Sequence, residues 1–326
     1  MSASERLTQV FNRAKQNPIT FTNNDKFIIF SDTHRGKNDW GDDFAHNQLL
    51  FYHALNTYFE DGWTYIENGD GDELSENWSF RPIHQAHSHI FWTMKQFHDA
   101  GRLIMLYGNH DAVRCYPSVV KRTLYYYYDF RQGIKDSLFW GVRLHDGIVL
   151  KHQESGKNIF ITHGHQADFF NTYFVWLGIL LLPLWKNVFQ KLLGWPDPTS
   201  PAQNRWKKNR VEDHLINWAD ENDQIIIAGH THRPWHPLPG EAPYFNSGSC
   251  VHPRAITGIE IQNGTIALVK WWLNTKPTQS DGVDEYRRLD RELYLDRDLI
   301  MTDQAGNPIE PIRLVDLVFP LDEDSE

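Results

Sequence analysis

Five short clusters of oxygen- and nitrogen-donor residues recur along the first 232 positions. They are Asp32-Thr33-His34, Gly69-Asp70-Gly71-Asp72, Gly108-Asn109-His110-Asp111, Thr162-His163-Gly164-His165 and Gly229-His230-Thr231-His232. Carboxylate, amide and imidazole donors suit hard or borderline divalent cations. In Asp-x-His and His-x-His, two ligands lie two residues apart, so on an extended segment both side chains face one way. A carboxylate that bridges two ions must be anionic and short, and Asp70 meets both needs. Asn109 offers a neutral carbonyl oxygen, which limits the negative charge of the site. The two cysteines, Cys115 and Cys250, are far apart, which argues against both a disulfide framework and a thiolate metal site.

Such residues act together only if the chain brings them together, and the pattern around them supplies the means. Each cluster follows a short apolar run: Lys26–Ser31, Trp63–Glu67, Arg102–Tyr107, Asn158–Thr162 and Gln224–Ala228. Helical patterns over Ser4–Lys15, His46–Glu60 and Pro82–Ala100 separate the early runs, predicting βαβ units and a largely parallel sheet. The carboxyl ends of such strands form one rim, where sites assemble. Ile148–Lys151 and Asn158–Thr162 flank a turn at Glu154–Lys157 and predict a hairpin. Tyr244–Asn246, Ala255–Ile261 and Thr265–Trp272 read as closing β-structure, with Asn263-Gly264 as a tight turn. Three segments follow: a helix and polar connector over 1–25, a main domain over 26–275 with a helical insert at 166–222, and a polar extension over 276–326.

The order and types of the five clusters resemble the calcineurin-like metallophosphoesterases: Asp-x-His, Gly-Asp, Gly-Asn-His-Asp, a later His and Gly-His-x-His. The resemblance covers roughly residues 26–250. It implies an α/β fold of four-layer type, with central β-sheets flanked by helices and a helical cap insert. It also implies that Asp32, His34, Asp70 and His232 hold one metal and that Asp70, Asn109, His163 and His230 hold the other. His110 would be the non-ligand histidine that stabilises charge and protonates the leaving group, with Asp111 orienting it. The activity implied is hydrolysis of a phosphoester: two divalent cations about 3.5–4 Å apart activate a bridging hydroxide that attacks phosphorus in line with the leaving oxygen. Manganese is the expected metal, with iron, zinc or cobalt as alternatives. Catalytically silent scaffolds of the same fold tend to lose the histidine at the position of His110, so its presence favours an enzyme.

Other polar residues carry competing readings. His165 is either a substrate contact or a turn residue, while Asp72 and Glu73 read as support for the ligands. His84, His87 and His89 read as solvated or capping, and His46, His53 and His98 as ordinary helix residues. Arg35, Arg114, Arg233 and Arg254 stand near the clusters, either as phosphate anchors or as salt bridges at the sheet rim. The run Tyr125–Tyr128 reads as packing, and Asn246-Ser247-Gly248-Ser249 resembles a loop-shaping turn of the family.

The chain has 326 residues, 40% of them hydrophobic and 23% charged, with a net charge of -10. That balance argues against a broad nucleic-acid face but not against an anionic substrate, because bound cations set the local charge. The start of the chain has no apolar leader segment, so a cytoplasmic setting is expected. Residues 169–195 are the most apolar part, but Phe174–Trp185 is shorter than the ~20 residues a membrane span needs and contains Pro183. Three readings of this stretch stand: a buried cap helix, an oligomer interface, or an apolar lid with peripheral membrane contact. UDP-2,3-diacylglucosamine hydrolases look similar in placing a helical cap here and in Gly229–Pro234, though they have Arg where this chain has His110. The substrate is accordingly a phosphorylated small molecule or, alternatively, a nucleotide-linked lipid cleaved at its pyrophosphate.

Overall fold

The computed structural model describes residues 1–129, 133–168, 205–277, 291–299 and 311–316. In chain order its helices are α1 (Ala3–Ala14), α2 (Gln48–Glu60), α3 (Phe80–Ala86), α4 (Ser88–Asp99), α5 (Pro117–Thr123) and α6 (Arg205–Glu221). Its strands are β1 (Ile19–Phe21), β2 (Phe27–Phe30), β3 (Thr64–Asn68), β4 (Leu103–Leu106), β5 (Tyr126–Asp129), β6 (Ile134–Ser137), β7 (Leu144–His145) and β8 (Gly147–His152). They continue as β9 (Asn158–Thr162), β10 (Ile225–Ala228), β11 (Tyr244–Asn246), β12 (Ala255–Gln262), β13 (Thr265–Pro277), β14 (Arg291–Leu299) and β15 (Ile312–Arg313).

Strands that are apolar at every position need cover on both faces, and that requirement sets the layering. In β2, Phe27 and Ile29 point into a core shared by two sheets, while Ile28 and Phe30 point the other way, towards α2, α3 and α4. In β10, Ile225 and Ile227 face the shared core, and Ile226 and Ala228 face α1 and α6. The result is four layers, with two sheets at the centre and helices outside each. The first sheet runs β14-β13-β12-β2-β3-β4-β7, parallel from β2 to β7 and antiparallel from β14 to β2. The second runs β1-β8-β9-β10-β11, with β8 antiparallel to β9 and its other pairs parallel. The α/β class with central sheets flanked by helices is as expected, but the first sheet is mixed rather than largely parallel.

Local sequence accounts for the outer layers. Helix α1 is opened by a capping box between Ser2 and Glu5 and buries Leu7, Val10 and Phe11, spaced i, i+3, i+4. Burial of each such side chain stabilises by roughly 1.5–3 kcal/mol. The stretch read as a polar connector contains β1, which pairs with β8. The helix expected over 82–100 is two helices, broken at His87, whose Nε2 meets the Asp42 carboxylate at 2.8 Å in a buried pair. His87 is therefore buried against a carboxylate rather than solvated, and His84 is buried against Phe91 and Tyr127. Asn263 and Gly264 both have positive φ, as the tight turn between β12 and β13 requires. Within the expected insert, α6 is described, and the apolar stretch 169–195 lies outside the described residues. Among the described residues, no helix is long and apolar enough to cross a membrane.

A buried ionic chain ties three loops of the first sheet together. Arg35 donates to both oxygens of Glu67 at 2.8 and 2.9 Å and, through Nε, to Asp72 at 2.7 Å. Arg114 Nη2 lies 2.5 Å from the other oxygen of Asp72, and its Nη1 donates to Asp111 at 3.4 Å. Both guanidinium groups also stack over rings, Arg35 on Phe91 and Arg114 on Phe80. These two arginines are committed to protein carboxylates and do not reach for phosphate. Replacing Arg35 with Met leaves Glu67 and Asp72 as buried carboxylates short of a partner. It is expected to lower the free energy of unfolding by about 3–5 kcal/mol, measured from the denaturant midpoint at constant m-value. A loss below about 1 kcal/mol, the range of exposed pairs, would contradict this role.

Candidate metal centre

The candidate ligands sit just past the carboxyl ends of β2, β3, β4, β9 and β10, where the rims of the two sheets meet. Backbone bonds stitch these loops together: Asp32 N–H to Gly69 O, His34 N–H to Asp70 O, and Gly229 N–H to His163 O. Nine described non-glycine residues have positive φ, and five of them are Asp32, His34, Asp70, His230 and His232. That conformation costs non-glycine residues energy and persists where surrounding contacts over-determine it. Close packing adds to it: a Cβ on Gly108 would strike the Asp70 carboxylate, and one on Gly229 would strike Ser31 and Asp32.

Each acidic ligand divides its two oxygens between holding a loop and facing the cavity. Asp32 Oδ2 accepts from the Ser31 hydroxyl and from His230 N–H at 2.9 Å, leaving Oδ1 3.1 Å from His232 Nε2 and 3.7 Å from His34 Nε2. Asp70 Oδ1 accepts from His110 N–H at 2.8 Å. Its Oδ2 lies 3.8 Å from His34 Nε2 on one side and 3.0 Å from His163 Nε2 on the other. Two of the imidazoles divide their nitrogens in the same way. His34 Nδ1 meets Glu73 at 3.0 Å and His163 Nδ1 donates to the Asn68 carbonyl at 2.9 Å, so both present Nε2.

Three donor sets result, each with ligand atoms within 4.8 Å of one another: Asp32, His34 and His232; His34, Asp70 and His110; and Asp70, His163 and His230. His34 Nε2 and His232 Nε2 are 3.1 Å apart, a fit for neighbouring ligands of one ion when each bond is about 2.0–2.1 Å. Asp32 Oδ1, Asn109 Oδ1, His163 Nε2 and His230 Nε2 are all buried without a hydrogen-bond partner among the described residues. Each such atom costs roughly 1–3 kcal/mol, and cations satisfy lone pairs that face one another. The donor set thus fits divalent metal ions.

The electrostatics follow from this crowding. Burial alone would raise the Asp32 and Asp70 carboxyls, but the surrounding histidines outweigh it and hold both well below the usual carboxylate range. Burial pulls His163 down, yet Asp70 and Asp32 prevail and lift it to about 9. His34 is likewise raised, against burial, by Asp32 and Glu73, whereas His232 is lowered, chiefly by burial. His165 is pushed well below its ordinary value by burial and by its neighbours His163 and His230.

The sequence reading assigned Asp111 to orient His110, and the structure corrects it. Asp111 accepts from Gly108 N–H at 2.7 Å and faces Arg114, because the ionic chain turns it away from the cavity. Glu73 takes that place: its Oε2 lies 2.7 Å from His110 Nδ1 and also meets His34, while Ser75 stands 3.1 Å from the same nitrogen. Burial lowers His110, but Glu73 and Asp70 more than offset it. The sequence offered a signal, since Glu73 lies on the same loop, three residues after Asp70. Asp168 was missed; its carboxylate is 3.7 Å from His230 Nε2, on the loop that begins at His163. Arg233 pairs with Glu212 at 2.7 Å, and Arg254 is exposed. Asn246 shapes its turn as expected, donating to the Gly229 carbonyl and accepting from Gly248 N–H.

No protein-family model matches the chain, and no curated protein matches it. Among solved structures, Vps29 of Chaetomium thermophilum is similar over 77% of this chain and 90% of its own, with 11% identity and a TM-score of 0.33. At that level the likeness carries no functional reading, and the site is interpreted from its own residues.

If Glu73 rather than Asp111 holds His110, Glu73→Gln removes the anion that raises the His110 pKa. In the metal-free protein, NMR titration is then expected to show that pKa falling in Glu73→Gln and changing little in Asp111→Asn. The opposite pattern would restore the assignment to Asp111.

Proposed function

We propose that this chain is a metal-dependent hydrolase of phosphoester bonds working at two divalent cations. The observation that carries the proposal is the position of Asp70 Oδ2 between two donor sets, with His34 on one side and His163 on the other. A carboxylate so placed is suited to bridging. Asp32, His34 and His232 would complete one ion's ligands, and Asn109, His163 and His230 the other's. Mixed oxygen and imidazole donors suit manganese, iron, zinc or cobalt. When bound, such ions place positive charge against phosphoryl oxygens and supply a water of lowered pKa.

The protein's own groups do the rest. His110 sits within ligand reach of His34 and Asp70. With Nδ1 held by Glu73, Nε2 is the nitrogen left for a leaving oxygen. From there it stabilises charge on the phosphoryl group and delivers a proton to the departing oxygen. Because Glu73 touches both His34 and His110, one carboxylate fixes the spacing between the metal side and the proton side. A phosphorylated small molecule is the simplest substrate, and a lipid-linked pyrophosphate is the alternative.

The test is hydrolysis of p-nitrophenyl phosphate and bis-p-nitrophenyl phosphate by protein loaded with Mn²⁺. Activity on at least one ester is expected, abolished by chelator and restored by metal. His110→Ala should retain metal and lose about 10²–10⁴-fold in kcat, the scale of a general acid. Asp70→Asn should lose both activity and one equivalent of metal. Metal-loaded protein inert towards both esters and towards a nucleotide-linked pyrophosphate would turn the proposal towards a non-catalytic role.

A further inference from the structure

Nine described non-glycine residues adopt left-handed backbone, and five of them are candidate metal ligands. Of the other four, Asn38, Asp223 and Asn263 are of the two types that enter this region most readily. The fourth is Arg254, with φ 63°. Its turn, His252-Pro253-Arg254-Ala255, is closed by Ala255 N–H on the His252 carbonyl at 3.4 Å. Pro at the second position and positive φ at the third are the marks of a type II turn, whose third position favours Gly. An arginine there costs conformational energy. Arg254 is exposed, and among the described residues its side chain makes no hydrogen bond or ion pair that offsets the cost.

The loop that carries this turn is fastened to the metal centre. Cys250 N–H donates to the Asp32 carbonyl at 3.2 Å, and His252 Nε2 donates to the His232 carbonyl at 2.8 Å. Asn47 Nδ2 donates to the carbonyls of Cys250 and His252 at 2.8 and 2.6 Å. The turn is thus tied to two residues assigned to one ion, through their backbone and not through their donor atoms. That places Arg254 on the flank of this ion's ligands rather than in the gap between the two ions. The other arginines near the clusters are claimed by carboxylates: Arg35 and Arg114 by the buried ionic chain, and Arg233 by Glu212 at 2.7 Å. Of the four, Arg254 alone is left for a ligand.

We infer that Arg254 is a specificity residue that holds a second anionic group of the substrate, a carboxylate or a phosphate, beside the phosphoryl group at the ions; this rests on the two-metal reading above. A guanidinium binds either group through paired N–H donors. The charge balance calls for it. Two divalent cations against Asp32 and Asp70 leave about two positive charges, which one phosphoryl dianion neutralises. A second anion then meets a chain of net charge -10 and needs a cation of its own. A singly charged or neutral leaving group would give the strained, unpaired arginine nothing to hold. The substrate class that fits is a phosphoester or pyrophosphate with a further anionic group close to the bond that breaks.

The test is binding of non-hydrolysable phosphonates to the full chain loaded with Mn²⁺, read from broadening of their phosphorus NMR signal by the protein-bound ion. The probes are ethyl-, propyl- and butylphosphonate and their counterparts ending in a carboxylate or in a second phosphonate. At least one doubly anionic probe is expected to bind about tenfold or more tightly than its alkyl parent, the scale of a hydrogen bond between charged groups. The terminal group that binds better identifies the second anion. Arg254→Gly should abolish that preference while alkylphosphonate affinity and metal content stay those of the parent. Because Gly suits left-handed backbone, the thermal midpoint of this variant should not fall. Equal affinity of the parent for charged and uncharged probes would overturn the inference and leave the metal centre as read. So would a preference that survives in Arg254→Gly. If no phosphonate is broadened by the bound ion, the inference falls together with the phosphoester reading.

Discussion

Ligand-type oxygen and nitrogen atoms that face one another across a buried space are the constraint on which the rest of this structure depends. Asp32 Oδ1, Asn109 Oδ1, His163 Nε2 and His230 Nε2 come from four different loops, and none has a hydrogen-bond partner among the described residues. Proteins bury polar atoms in this way seldom, because each costs more than a typical hydrogen bond contributes. Here they converge with Asp70 at the centre, so the cost falls on the place where cations would repay it. The close approach of His34 Nε2 and His232 Nε2 and the raised pKa of His163 express the same demand for positive charge.

Holding donors in so unfavourable an arrangement requires a stiff surround. The strand layers supply its foundation, since apolar cover on both faces leaves β2, β9 and β10 little freedom to shift register. Above them, left-handed backbone at five of the ligand positions turns the side chains inward over very short distances. The buried chain from Glu67 through Arg35, Asp72 and Arg114 to Asp111 then locks the three loops of the first sheet to one another. That chain explains why Asp111 is unavailable to His110 and why Glu73 serves instead. It also removes Arg35 and Arg114 from any role in binding substrate.

Much of this was legible in the sequence, for identifiable reasons. The ligand types stood out because Asp-x-His and His-x-His recur at successive strand ends, and the apolar runs before them marked the strands. What escaped notice depended on contacts between distant residues. Nothing local in Asp111 reveals that Arg114 claims it, nor in His87 that Asp42 lies beside it to break a helix. The tight turn at Asn263-Gly264 marked β12 and β13 as a hairpin, but nothing local shows that β12 pairs antiparallel with β2 and so makes the first sheet mixed. The aromatic run at Tyr125–Tyr128 read as packing, which holds for rings packed on Trp140 and Trp92, but its place on a separate hairpin needed the fold.

Asp70 is proposed to stand between two metal ions. The most direct test is anomalous diffraction at the manganese edge from crystals grown with Mn²⁺. Two anomalous peaks about 3.5–4 Å apart are expected with the Asp70 carboxylate between them, one beside Asp32, His34 and His232 and the other beside Asn109, His163 and His230. A single peak at saturating metal, or two peaks not joined by Asp70, would contradict it.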